Sequence, residues 1–193
     1  MEQRLIAKDD VVLAGLGGMG VLVAGRILAL GALNRYKHVS WFPSYAVEKR
    51  GGLCECTVVF SDNEIPSPII DQSQTVVVLS GSQLKTFESR VLPGGMMLVD
   101  SAGLDEDDRE RKDYKLLKIP GMEFALSTGN LQINNLILVG AYIGVTDKVP
   151  AEFIEGAIEK MLGSEETVKE FNLKAFRRGI ELGAAQKSDP IYV

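Results

Sequence analysis

Ten residues near the amino terminus, Val11-Val12-Leu13-Ala14-Gly15-Leu16-Gly17-Gly18-Met19-Gly20, restrict the fold more than any other part of the chain. An apolar run enters a glycine turn, and a long apolar segment leaves it. Gly15, Gly17 and Gly20 fit the G-x-G-x-x-G spacing of a turn that cradles a phosphate between a strand and a helix. Glycine permits a sharp turn and a close approach of ligand to backbone. The helix that follows would aim its free N–H groups and positive dipole end at that ligand. The same four glycines, Gly15, Gly17, Gly18 and Gly20, also suit plain tight packing of strand on helix, and the pattern leaves both readings open. A dinucleotide fold places an acidic ribose ligand about 20 residues further on. Here no Asp or Glu stands between Asp10 and Glu48, so the usual NAD selector is missing. Arg35 and Lys37 lie near where a 2′-phosphate partner is expected, which keeps an NADP-dependent reductase or a nucleotide-binding regulator as alternatives.

The remaining pattern alternates strands and helices, then turns helical. Strands are expected over 10–14, 38–42 (ended by Pro43), 54–60, 75–79, 96–99 and 114–119. The helix over 18–33 is apolar nearly all round, with Arg26 its one charge, and should be buried on several sides. A short helix is expected over 83–91, broken by Leu92-Pro93-Gly94-Gly95, and a charged loop or helical turn over 105–111. Helices follow over 131–145, from Pro150 to Gly163, and after a Ser164 cap. This order predicts an α/β class, a three-layer α/β/α Rossmann-like single domain over 1–193 with a helical C-terminal part.

At 193 residues with 46% hydrophobic content, the chain can bury one sizeable core. A net charge of −5 argues against non-specific nucleic-acid binding. Apolar stretches are too interrupted to span a membrane. Two cysteines, Cys54 and Cys56, give no disulfide framework and suggest a reducing, cytoplasmic setting. They lie two apart on a strand and read as structural thiols; neither they nor the lone His38 assemble a metal site or nucleophile system. No catalytic residue and no metal ligand is assigned. Asp100, at a strand end, reads as a capping or turn carboxylate. Asn130 and Asn134 are placed on one helical face, where, with Asn135, they need partners.

A second cluster follows the second strand: Pro43, Ser44, Tyr45, Glu48, Arg50, Gly51 and Gly52. Arg50 offers a planar fork to a carboxylate or phosphate. Glu48 and Arg50, two apart, share a side of an extended segment. With Trp41, Phe42 and Tyr45 alongside, the loop reads as a binding or subunit-interface element.

Four features together resemble the gamma subunit of 2-oxoacid:ferredoxin (or acceptor) oxidoreductases. They are the Gly15–Val21 turn and Pro43-Ser44-Tyr45-Ala46-Val47-Glu48-Lys49-Arg50-Gly51-Gly52, similar to the family's Ser-Tyr-Gly-x-Glu-x-Arg-Gly-Gly loop. The others are Val58-Val59-Phe60-Ser61 leading to Ile65-Pro66-Ser67-Pro68, and Leu92-Pro93-Gly94-Gly95 with Asp100-Ser101, then Asn134-Asn135. Ala46 stands where the family often has glycine. The resemblance implies a complex that oxidatively decarboxylates a 2-oxoacid, 2-oxoglutarate or a similar one, to an acyl-CoA. Electrons pass through iron–sulfur clusters to ferredoxin or a similar acceptor. Thiamine diphosphate belongs to alpha and beta subunits, and clusters to beta or a ferredoxin-like subunit. It implies for this chain an assembly and shaping role, inactive alone, with Ser44, Tyr45, Glu48, Arg50, Gly51 and Gly52 at an interface and Gly15, Gly17, Gly18 and Gly20 either near a phosphate of CoA or simply packed.

Overall fold

The apolar run before the glycines becomes β1 (Lys8–Leu16), buried on both faces at its centre, and α1 (Val21–Ala32) follows it. The computed structural model describes residues 8–45, 52–104, 109–163 and 165–188. The other strands are β2 (His38–Tyr45), β3 (Leu53–Ser61), β4 (Ser73–Val78), β5 (Val91–Asp100) and β6 (Lys115–Ile119). They form one six-stranded sheet in the order β2-β3-β1-β4-β5-β6. β4, β5 and β6 run parallel to β1, whereas β3 is antiparallel to both β1 and β2. The chain therefore crosses over through α1 to lay down β2, turns back, and inserts β3 between β2 and β1.

The two faces of the sheet are covered unequally. On one, α1 and α4 (Asn134–Thr146) pack against Leu13, Val58, Val77 and Leu98, and α5 (Ala151–Leu162) and α6 (Glu166–Ala185) form a second shell over them. On the other, α2 (Leu84–Phe87), flanked by single 3₁₀ turns, covers Val12, Val76, Val78 and Met97. Buried Glu88 stitches this thin side together: its carboxylate accepts from Tyr114 Oη at 2.8 Å and from the Arg111 amide at 2.9 Å.

α4 and α6 lie parallel with backbones nearly touching. A Cβ at Gly140 or Gly144 would strike carbonyls of Phe176 or Ile180, and one at Gly179 or Gly183 would strike those of Ile137 or Ala141. Small residues at i and i+4 on both helices allow that approach. At the sheet's amino edge Tyr142 Oη donates to Asp9 Oδ2 at 2.9 Å, pinning α4 to the start of β1.

Several boundaries differ from the sequence-based expectation. Pro43 does not end β2; it lies inside it, tolerated because β2 is an edge strand where a missing N–H breaks no ladder. Residues 92–95 belong to β5, whose pairing with β4 shifts register there. The segment 83–91 is a chain of 3₁₀ and α turns, and β5 begins at its end. α3 (Gly121–Ser127) appears where no helix was expected. The helix expected from 131 begins as a 3₁₀ turn, Leu131–Ile133, with the Asn130 side chain accepting from the Gln132 amide, so Asn130 caps that turn and does not share a helical face with Asn134. Ser164 and residues 105–108 lie outside the described residues.

Candidate functional site at the carboxyl edge

The carboxyl ends of β1, β4, β5 and β6 meet the amino ends of α1, α3 and α4, where open α/β sheets bind ligands, at the point where strand order reverses between β1 and β4. The glycine turn forms its centre. The Met19 amide bonds the Leu16 carbonyl at 3.2 Å, and Gly18 and Gly20 take φ of 97° and 78°, a left-handed region in which a side chain is strained. Gly20 is the N-cap of α1 and supplies no side-chain cap. The glycines serve different ends. A Cβ on Gly15 would come within 3.2 Å of Val21 Cγ2 and 3.3 Å of Leu79 Cβ, so Gly15 permits packing. A Cβ on Gly18 would meet no heavy atom of the described residues within 4 Å.

The fold brings the two sequence clusters together. β3 re-enters the sheet beside β1, with Leu16 opposite Leu53 and Gly15 opposite Cys54. The Gly17 amide donates to the Gly52 carbonyl at 2.9 Å. The turn and the returning limb of the Pro43–Gly52 loop are thus hydrogen-bonded to each other. Ser44 is exposed near the end of β2, opposite Glu55. Glu48, Arg50 and Gly51 lie outside the described residues, as does the side chain of Tyr45.

Two asparagines on α4 fix the other wall. Asn135 Nδ2 donates to the Gly20 carbonyl at 3.3 Å, and Asn134 Nδ2 to the Leu79 carbonyl at 3.2 Å. Asp100 caps, as its position suggested: its carboxylate accepts from the Ala102 amide at 2.9 Å and the Met122 amide at 2.7 Å, joining β5 to α3. Burial raises its carboxyl above the usual range, partly offset by those amides. Asn134 Oδ1, buried beside Gly121 and Asp100, has no hydrogen-bond partner among the described residues. Sequence reasoning missed Ser80 and Ser82, whose exposed hydroxyls lie 3.0 Å apart on the rim after β4. The only cue was a Ser-Gly-Ser run directly after a buried strand.

Arg35 and Lys37 stand elsewhere. They precede β2, whose start lies level with the start of β1, so the whole of β1, about 27 Å, separates them from the glycine turn. Arg35 also pairs with Asp62 at 3.7 Å and stacks over Tyr36. The 2′-phosphate reading fails on this geometry, because that partner must sit at the carboxyl end of β2.

The cysteines pack as structural thiols. Cys56 is buried under α1 with its Sγ 3.6 Å from the Val21 carbonyl, and burial pushes its pKa up to about 12. Among the described residues no group of three or more His, Cys, Asp or Glu is placed to hold a metal ion, and no helix is long and apolar enough to cross a membrane.

Residues 10–182 match the model of the pyruvate ferredoxin/flavodoxin oxidoreductase family. The chain belongs to this family. Among its relatives is the 2-oxoglutarate synthase subunit KorC of Methanocaldococcus jannaschii, 32% identical over 94% of this chain and 97% of that one. Among solved structures, the gamma subunit of a keto/oxoacid ferredoxin oxidoreductase from Geobacter sulfurreducens superposes with a TM-score of 0.75 at 26% identity, over 92% of this chain and 99% of that one. A 2-oxoglutarate:ferredoxin oxidoreductase from Magnetococcus marinus, solved with 2-oxoglutarate, coenzyme A and succinyl-CoA, shares the fold with a TM-score of 0.85 at 23% identity, over 97% of this chain and 33% of that one. Other family members are longer: this chain spans about a third, 36% and 35%, of the ketoisovalerate oxidoreductase VorA subunits of two Methanothermobacter species, at 31% and 32% identity over 89% of its own length.

Proposed function

We propose that this chain is the gamma-type subunit of a cytoplasmic multi-subunit 2-oxoacid:ferredoxin oxidoreductase, and that it acts by docking and shaping. The carrying observation is the end-to-end correspondence with separately encoded subunits of the family, over 94% of this chain and 97% of the KorC relative. The complex decarboxylates a 2-oxoacid, releases carbon dioxide, passes two electrons to an acceptor such as ferredoxin, and transfers the acyl group to CoA. Thiamine diphosphate and the iron–sulfur clusters are held by the alpha, beta and ferredoxin-like companions.

In this reading the carboxyl edge faces those companions. The glycine turn, with Gly18 clear of the other described residues, lies near a phosphate of CoA, and the loop hydrogen-bonded to it through Gly17 and Gly52 carries Ser44, Tyr45, Glu48 and Arg50 to the neighbour. The test is Arg50→Ala in the reconstituted complex. At least a tenfold loss of co-purified companions, or a tenfold rise in the KM for CoA, supports the reading. Unchanged assembly and kinetics count against it. So would oxidation of any 2-oxoacid by the purified chain alone.

A further inference from the structure

The two edges of the sheet are built differently. β6 carries Lys115 and Lys118, charges of the kind that keep an edge strand from pairing with another chain. β2 reads His-Val-Ser-Trp-Phe-Pro-Ser-Tyr and contains no Asp, Glu, Lys or Arg; Pro43, which lacks an N–H, blunts the edge at its own position and leaves 38–42 as the stretch able to pair. Its outer backbone groups face no strand among the described residues. Trp41 is 36% and Phe42 40% exposed, on opposite faces of the strand.

α1 supplies the second half of this surface. A helix apolar nearly all round belongs where every side is covered. Gly25 sits against Trp41, where a Cβ would come within 3.1 Å of the indole nitrogen. Beside it runs a stripe at i, i+4, i+8 and i+11: Leu22, Arg26, Leu30 and Leu33. Leu22 and Leu30 are half-buried and Leu33 is 55% exposed, so this stripe lies open next to the open edge. Its one charge, Arg26, is exposed and has no ion-pair or hydrogen-bond partner among the described residues.

Resting on the reading above, we infer that the β2 edge and the Leu22–Leu33 stripe of α1 form the seat of a companion subunit of the complex. That subunit adds an extended, uncharged strand alongside β2 and sets a carboxylate against Arg26. A second copy of this chain does not fit. A two-fold pairing of β2 with itself is centred near Trp41 and Phe42, level with Gly25, and brings Arg26 against its own copy, a like-charge contact that opposes the pairing. The occupant is therefore apolar with an acidic residue at that position.

Trp41 is the only tryptophan of this chain, so 5-hydroxytryptophan incorporated into this chain alone, excited apart from the companions' ordinary tryptophans, reports on this face. The labelled full chain is combined with purified alpha- and beta-type companions, and the complex is compared with the free chain by hydrogen exchange and acrylamide quenching. The expected result is at least tenfold slower exchange in the outward-facing amides of 38–42 and at least threefold lower quenching of Trp41. Arg26→Glu should cut co-purification tenfold or more while Arg26→Lys retains it, both variants keeping the circular dichroism of the parent. A complex that assembles with 38–42 and Trp41 unchanged overturns this inference and leaves the gamma-subunit reading standing. Failure to assemble with any companion overturns both. A free chain that is a dimer in light scattering, with Trp41 already shielded, overturns the choice of occupant.

Discussion

The side-chain amide of Asn135 donates to the carbonyl of Gly20 at 3.3 Å, tying the first turn of α4 to the left-handed residue that opens α1. A Cβ placed on Gly20 would land on that same amide. Gly20→Ala therefore meets two penalties, a left-handed backbone for an L-residue, about 1–2 kcal/mol, and displacement of Asn135. The expected total is about 2–3 kcal/mol by urea unfolding. Asn135→Ala alone should cost about 1 kcal/mol, and the double variant should be less destabilised than the sum. Strict additivity would show that the two residues are not coupled.

The glycines between α4 and α6 make an opposite pair of expectations with one in α5. Gly179→Ala drives a methyl into the Ile137 carbonyl, a backbone atom that cannot step aside, and should destabilise by about 1–3 kcal/mol. Gly156→Ala has open space around its Cβ and should stabilise by up to about 1 kcal/mol, the ordinary helix preference. Thermal melts of the two variants check the contrast.

Asp9 sets a pH dependence. Burial raises its carboxyl above the usual range, while the Tyr142 hydroxyl, Lys148 and the Asp10 amide pull it back and the Asp10 charge raises it slightly. Because the folded pKa is the higher one, the contribution to stability is complete below the unfolded pKa near 4 and is lost as pH rises through the folded value. Asp9→Asn keeps an acceptor for Tyr142 and removes the titration. Relative to the parent, the variant should fare better at pH 7 than at pH 4 in urea midpoints measured at both. An equal difference at the two values would exclude Asp9 as the source.

The two cysteines should separate by reactivity. With its thiol pushed up to about 12, Cys56 offers roughly one thiolate in ten thousand at pH 8. Cys54 is only partly buried, and burial raises it less completely. Iodoacetamide on the native chain should label Cys54 and spare Cys56, and labelling in urea should reach both. Mass spectrometry of the peptide holding residues 53–60 reads the outcome.

The sequence made some of this architecture readable and hid the rest for identifiable reasons. β1, the glycine turn and α1 were legible because an apolar run, left-handed glycines and an apolar helix stand in immediate succession. The central strands β4 and β5 were legible as uninterrupted apolar runs. The insertion of β3 between β2 and β1 was not, because strand order is a tertiary property and the segment Cys54–Phe60 reads the same on either side of β1. Pro43 misled because proline ends most strands, yet an edge forgives it. α3 escaped because seven residues opened by a glycine carry almost no periodic signal. The meeting of Gly17 with Gly52 depends on that same hidden pairing, so the candidate site appeared in the sequence as two separate clusters. Asn134 and Asn135 need partners on chemical grounds alone, but that these are the Leu79 and Gly20 carbonyls depends on where α4 packs.

The antiparallel return of β3 has a mechanical consequence. Because Leu53 must line up with Leu16, the register of β3 is fixed at the point where it re-enters the sheet. Slippage by one position past Gly52 would swing Cys56 away from α1 and thrust Glu55 or Thr57 beneath it. Insertions and deletions among such chains should therefore vanish over 53–61, where the strand rejoins the sheet.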